Sequence, residues 1–260
     1  MYGVLSLIGH REYMEDYWLV DEKFLPQYNV CLYAVFDGHG GYVVAKKCKD
    51  LLPKILKKNI FLNTIGLNKP NFPKALHDTF KEMDQSFDIN EDYMTGTTCL
   101  VILKAKNNLW VANCGDSRAF LNKKDENIQL TIDHKPVQRE RKRIEDLQGS
   151  IVNVQGVWRV NGDLALSRSI GDKKYRPFVI PTPEIWNYPL TSSNKFFVLA
   201  TDGLWDIMSC SRANNILADV YKNENLSDQQ LMRVCIQGLH QNIHQKIYDN
   251  TTVVLVHLRR

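Results

Sequence analysis

The sequence predicts an α+β fold: a four-layer α-β-β-α sandwich with two central antiparallel β-sheets flanked by helices. Three observations lead there. Apolar runs come in pairs joined by short polar turns, the pattern of hairpins. Other stretches carry apolar residues at spacings of three and four, so each forms a helix with one apolar face. The chain has 260 residues, 44% of them hydrophobic, enough to bury a large core. One-faced helices must then cover sheets. No repeat or linker divides the chain, so residues 1–260 are expected to form a single domain.

The elements follow in order. The chain begins and ends on strand-like runs, and Val30–Phe36 is an unbroken apolar strand. Val44, Cys48, Leu51 and Leu52 mark a helix face that Pro53 is expected to interrupt, because proline lacks the backbone donor. Lys/Asn-rich stretches at 57–71, 104–108 and 122–127 read as polar loops. Phe72, Leu76, Phe80, Met83 and Phe87 share a second helix face. Segments 97–103 and 109–112 read as one hairpin, and 119–121 with 128–131 as another. Strands at 196–201 and 251–258 complete the sheets. Ser227 and Gln230 have capping-box spacing ahead of Leu231, Val234 and Cys235. These stripes are read as core, with Trp158 and Trp205 packed into it.

Composition narrows the classes. A net charge of +4 is too mild to argue for nucleic acid. The basic run Arg139, Arg141, Lys142 and Arg143 is read as a solvated helix face, or as a surface that attracts phosphorylated partners. Cys31, Cys48, Cys99, Cys114, Cys210 and Cys235 form no CxxC, no zinc spacing and no Cys-x5-Arg loop, so buried reduced thiols are expected. The longest apolar run, Val30–Phe36, is far short of the roughly 18 residues that span a bilayer. The N-terminus lacks the pattern of a signal peptide, and no lipid anchor is supported. The expectation is a monomer without membrane contact, cytoplasmic or nuclear.

The chemistry lies in acids at the ends of apolar runs: Asp37, Asp116, Asp202, Asp206 and Asp249, with Glu15 and Asp16 near the start. A lone carboxylate there is costly to desolvate. Two like charges about 4 Å apart repel by roughly 4 kcal/mol at an effective dielectric near 20. If these acids converge, a divalent cation is the simplest counter-charge. An all-oxygen set suits Mg²⁺ or Mn²⁺ over zinc.

The acids fall in an ordered series: RxxMED at 11–16, DGHGG at 37–41, TGTT at 95–98, GDSR at 115–118, DHKP at 133–136, RVNGDLALSRSIGD at 159–172, TDGLWD at 201–206 and DNTT at 249–252. Each motif alone is weak, and Asp beside Gly is usually a turn residue. The ordered set closely resembles the metal-dependent PP2C (PPM) family of protein serine/threonine phosphatases, from about Tyr2 to Val256. That resemblance implies two ions, Mg²⁺ or Mn²⁺, between two sheets. By it Asp37 bridges both. Glu15 and the Gly38 carbonyl hold one ion, Asp202 and Asp249 the other, and Asp16 reaches metal through water. Asp116 and Asp206, with Asp202, match a weaker third site. Arg11 matches the phosphate-gripping arginine and His39 the general acid. The implied partners are phosphorylated protein substrates.

The chain departs from the family pattern in three places. Gln148-Gly149 replaces a paired glycine, the stretch between DHKP and Glu140 is about one residue short, and Asp163 brings a negative charge to the variable flap. Other classes fit poorly. A non-catalytic pseudophosphatase would be expected to lose metal acids, and none is missing. Gly115-Asp116-Ser117 looks like part of a GDSL esterase, but none of the seven histidines follows an aspartate by three residues. The GNHE signature of the other dinuclear phosphatases and the P-loop lysine motif are absent.

Overall fold

The structure is a computed structural model and describes residues 1–67, 69–87, 93–124, 126–223 and 225–258. Its strands are β1 (Tyr2–Leu7), β2 (Tyr17–Leu25), β3 (Val30–Phe36), β4 (Gly38–His39), β5 (Gly96–Thr97), β6 (Cys99–Ala105), β7 (Asn108–Cys114), β8 (Arg118–Lys123), β9 (Glu126–Gln129), β10 (Ile151–Val154), β11 (Val157–Val160), β12 (Ile170–Gly171), β13 (Glu184–Pro189), β14 (Phe196–Ala200) and β15 (Thr251–His257). The helices are α1 (Val43–Leu62), α2 (Phe72–Gln85), α3 (Gln138–Asp146), α4 (Asp202–Trp205), α5 (Cys210–Val220) and α6 (Asp228–Ile243).

Two five-stranded sheets dominate, ordered β1-β15-β14-β8-β9 and β13-β7-β6-β3-β2. Every pairing within them is antiparallel. The two-residue alternation of a strand explains the layers. On β3, Tyr33 and Val35 face the second sheet and meet Phe197, Leu199, Val254 and Val256. Its alternate residues Leu32, Ala34 and Phe36 pack under α1 and α2, against Cys48, Leu52, Leu56, Leu76 and Phe80. On β15, Val253 and Leu255 turn the other way, onto Leu217, Leu231, Cys235 and Leu239 of α5 and α6. Three apolar cores thus separate four layers. A small sheet, β12-β5-β4, lies at the end where β3 stops.

The β6–β7 and β8–β9 hairpins, the α2 stripe and the Ser227–Gln230 capping box all form. Residues 68 and 125, inside two of the expected polar loops, lie outside the described residues. Three expectations need correction. Helix α1 runs straight through Pro53 and absorbs 57–62, which the Lys/Asn content suggested as loop. An interior proline costs about 3 kcal/mol. Burying Ile55, Leu56 and Ile60 at roughly 1.5–3 kcal/mol each outweighs it. The basic run on α3 is a solvated face only in part. Arg139 and Lys142 are exposed, whereas Arg143 is drawn inward and bonds Glu140 and the carbonyls of Ser167 and Phe178. Trp158 is not core: it is exposed, with the Arg141 guanidinium 4.4 Å from its ring centroid. All six cysteines are free thiols, five of them buried. Among the described residues no helix is long and apolar enough to cross a membrane.

Candidate active site

The acids sit where strands of both sheets end. Asp37 follows β3 and Asp116 follows β7, both in one sheet. Asp202 follows β14 and Asp249 precedes β15, in the other. Carboxylate oxygens of Asp37, Asp116 and Asp202 lie within 4.8 Å of one another. The TGTT motif fixes the first of them. Thr98 N donates to the Asp37 carbonyl at 2.9 Å, Thr97 Oγ1 donates to the same carbonyl at 3.0 Å, and Asp37 N donates to Thr98 Oγ1 at 3.0 Å.

The electrostatics show a deficit of positive charge. Burial pushes Asp37 well above the usual carboxylate range, and the charges of Asp16, Asp202 and Asp116 push it further. Burial and then Asp116 raise Asp202 to about 7, against the opposing charge of Lys135. Asp16 also rises to about 7, mainly through burial, with Asp249 and Glu15 adding to it. Its Oδ2 accepts from Thr201 Oγ1 at 2.8 Å, while its buried Oδ1 has no hydrogen-bond partner. Asp206, on the exposed side, is raised by desolvation and by Asp116 and Asp249. Close-set oxygens, an orphaned carboxylate atom and suppressed ionisation are what a site for hard cations presents before they bind.

The other expected residues surround this centre. An added Cβ at Gly38 would meet the Glu15 carbonyl oxygen at 2.5 Å, so only glycine lets these two backbones touch. Asn250 ties the pieces together: its Oδ1 accepts from Glu15 N at 2.7 Å, and its Nδ2 donates to the carbonyls of Ile8 and Tyr13. Asp249 and Glu15 lie outside the tightest group. Arg11 donates from Nη2 to Asp249 Oδ2 at 2.7 Å, so the expected phosphate grip and an expected metal acid pair with each other at the rim.

His39 has a partner the sequence did not reveal. Its Nε2 lies 2.7 Å from Asp172 Oδ2. Burial would lower His39, but the Asp172 carboxylate outweighs it and the net effect raises its pKa. Asp172 is fully buried and adopts the left-handed region at φ 49°, a conformation held only where the surroundings fix it. Asp84 on α2 supplies that fixing, accepting from Gly171 N at 2.9 Å, Lys173 Nζ at 2.8 Å and Arg176 Nη2 at 2.7 Å. The signal lay in SRSIGD and in Gly96, where a Cβ would collide with both Asp172 Oδ2 and His39 Nε2. Asp163, expected to add negative charge to the flap, is instead paired with Lys174 at 2.9 Å and accepts from the Tyr175 hydroxyl at 2.5 Å.

A second cluster, His134, Glu140 and Glu184, also brings potential ligand atoms within 4.8 Å. It is differently balanced. Gly115 N donates to His134 Nδ1 at 3.0 Å, so the neutral ring carries its proton on Nε2, the atom that faces Glu184 at 3.5 Å. Arg168 and Arg143 bond Glu140, and Arg139 pairs with Glu184. The chain supplies its own cations here. His134, given no role from sequence, is a structural link.

Comparison with known proteins identifies the family. A model of the family described as protein phosphatase 2C matches residues 2–251. Protein phosphatase 1L of Bos taurus is 34% identical over 99% of this chain and 72% of its own length. Probable protein phosphatase 2C 7 of Oryza sativa subsp. japonica is 35% identical over 81% of this chain, which matches only 55% of that relative. The crystal structure of serine-threonine phosphatase 2C from Toxoplasma gondii superposes with a TM-score of 0.82 over 99% of this chain and 94% of that one. At 23% identity it speaks for the fold alone. The chain therefore belongs to the protein phosphatase 2C family of protein phosphatases.

Proposed function

We propose that the chain hydrolyses phosphoserine and phosphothreonine monoesters on proteins, using Mg²⁺ or Mn²⁺ and no covalent phosphoenzyme. The convergence of Asp37, Asp116 and Asp202 carries this reading. The residues fit divalent cations: the donors are all oxygen, and the described surroundings supply fewer positive charges than the acids need. Asp37, Glu15, the Gly38 carbonyl, Asp202 and Asp249 would hold two ions, with Asp16 acting through water. Asp116, Asp206 and Asp202 would hold a weaker third. Such ions supply electrophilic charge for the phosphoryl group and acidify water.

The chain's own residues do the rest. The planar Arg11 guanidinium is suited to grip two phosphate oxygens at the rim, beside Asp249. Water attacks phosphorus in line, the ester P–O bond breaks, and the departing serine or threonine oxygen takes a proton. His39 would give it. Asp172 engages Nε2, which leaves Nδ1 as the donor, and the ring recovers its proton from solvent. Gly96 admits this pair.

The test is phosphate release from a phosphothreonine peptide across a Mn²⁺ titration. Turnover that depends on metal is expected. Peptide binding with no phosphate released at any Mn²⁺ concentration would replace this reading with that of a non-catalytic binding module.

A further inference from the structure

Lys135 is a cation set among the converging acids Asp37, Asp116 and Asp202. Its Nζ donates to Asp116 Oδ2 and lies at ion-pair distance, 4.0 Å, from Asp202 Oδ2, so it bonds one of the three converging carboxylates and faces a second. The backbone around it is anchored. Arg118 holds Asp133 with two bonds, at 3.0 and 2.6 Å. His134 is stitched to Gly115 twice: its backbone N donates to the Gly115 carbonyl at 3.0 Å and its Nδ1 accepts from Gly115 N at 3.0 Å. Lys135 follows His134 and Asp116 follows Gly115, so the double stitch sets the ammonium beside that carboxylate. The side chain is 39% exposed, leaving a path into solvent.

We propose that Lys135 is a tethered cation that fills the charge position of the weaker, third divalent ion, so that this ion binds only by displacing it. The inference rests on the metal reading of Asp116, Asp202 and Asp206. An ammonium on two of those acids balances them when the third ion is absent. The same contact opposes a second positive charge there, since a divalent ion and an ammonium cannot share one pair of carboxylates without strong repulsion. The weakness of the third site is then set by a neighbouring residue, independently of the acids that form it.

The experiment is calorimetric titration of metal-stripped protein with Mn²⁺, comparing wild type with Lys135→Gln, Lys135→Arg and Asp116→Asn. In Lys135→Gln the weakest class of site is expected to tighten by about tenfold or more, and the metal-free thermal midpoint to fall. Lys135→Arg keeps the charge and is expected to titrate like wild type. Asp116→Asn is expected to lose the weak class and keep the tighter ions. Tighter binding in Lys135→Gln alone supports the inference. A Lys135→Gln titration that overlays wild type, with the tight ions still binding, overturns it and leaves the phosphatase reading standing. No Mn²⁺ bound by any of the four proteins overturns both.

Discussion

Two acidic clusters in this molecule meet the same geometric description and behave in opposite ways. Asp37, Asp116 and Asp202 gather at the strand ends with Lys135 as their described counter-charge, and burial drives Asp37 and Asp202 upward. His134, Glu140 and Glu184 gather just as closely. Burial alone would raise Glu184, yet contacts with His134, Arg139 and Arg168 bring it down to about 2. Glu140 is likewise lowered against its burial by Arg168 and Arg143. Proximity of ligand atoms does not make a metal centre. What separates the two is whether the fold already supplies the cations.

Substitutions should break this comparison in different currencies. Asp37→Asn removes the charge shared by both proposed ions, and turnover is expected to fall by roughly a thousandfold, with the fold retained by circular dichroism. Near-normal turnover would remove Asp37 as the bridging acid. Glu140→Ala works the other way. It leaves Arg143 and Arg168 without their buried counter-charge and is expected to cost about 3 kcal/mol in denaturant unfolding. Activity per folded molecule and Mn²⁺ affinity should change little. Asp172→Asn is expected to slow phosphopeptide turnover by about a hundredfold and an aryl phosphate much less, because a phenolic leaving group needs little proton donation. Equal losses on both substrates would reduce Asp172 to a structural residue.

The smallest effects are in pH, and their signs oppose. In chelator, Asp16 and Asp202 hold protons in the folded state up to about 7, against an ordinary value of 3.8. Protonation therefore favours the folded state, and their contribution is lost as pH rises from about 4 to about 7. Saturating Mg²⁺ is expected to flatten that limb of a thermal-midpoint profile. Glu184, lowered from 4.5 to about 2, contributes stability that is complete above its ordinary value and lost as pH falls towards 2. Glu184→Gln should flatten the acid limb and leave the other untouched.

Much of this was legible in the sequence, for physical reasons that differ by element. Val30–Phe36 is buried on both faces and reads as an unbroken apolar run. The convergence of Asp37, Asp116 and Asp202 was legible because each lies at the end of such a run, where chain order and turn chemistry are visible. Two of the edge strands were not. β2 and β13 lie at the sheet margins and mix Asp21, Glu22, Glu184 and Asn187 with apolar residues, so no clean alternation survives. The continuation of α1 past Pro53 depends on Ile55, Leu56 and Ile60 finding a sheet to cover, a tertiary gain that local preference cannot report. Pairings across long separations were equally hidden. Asp172 meets His39 across 133 residues, and although each lies in a motif, SRSIGD and DGHGG, neither motif names the other as its partner.

The most direct measurement is an anomalous-difference map from crystals grown with Mn²⁺. Peaks are expected among Glu15, Asp37, the Gly38 carbonyl, Asp202 and Asp249, with none beside His134, Glu140 and Glu184. Strong density at the arginine-bound cluster, or none at the strand-end acids, would contradict the claim that unmet charge in the fold is what recruits the metal.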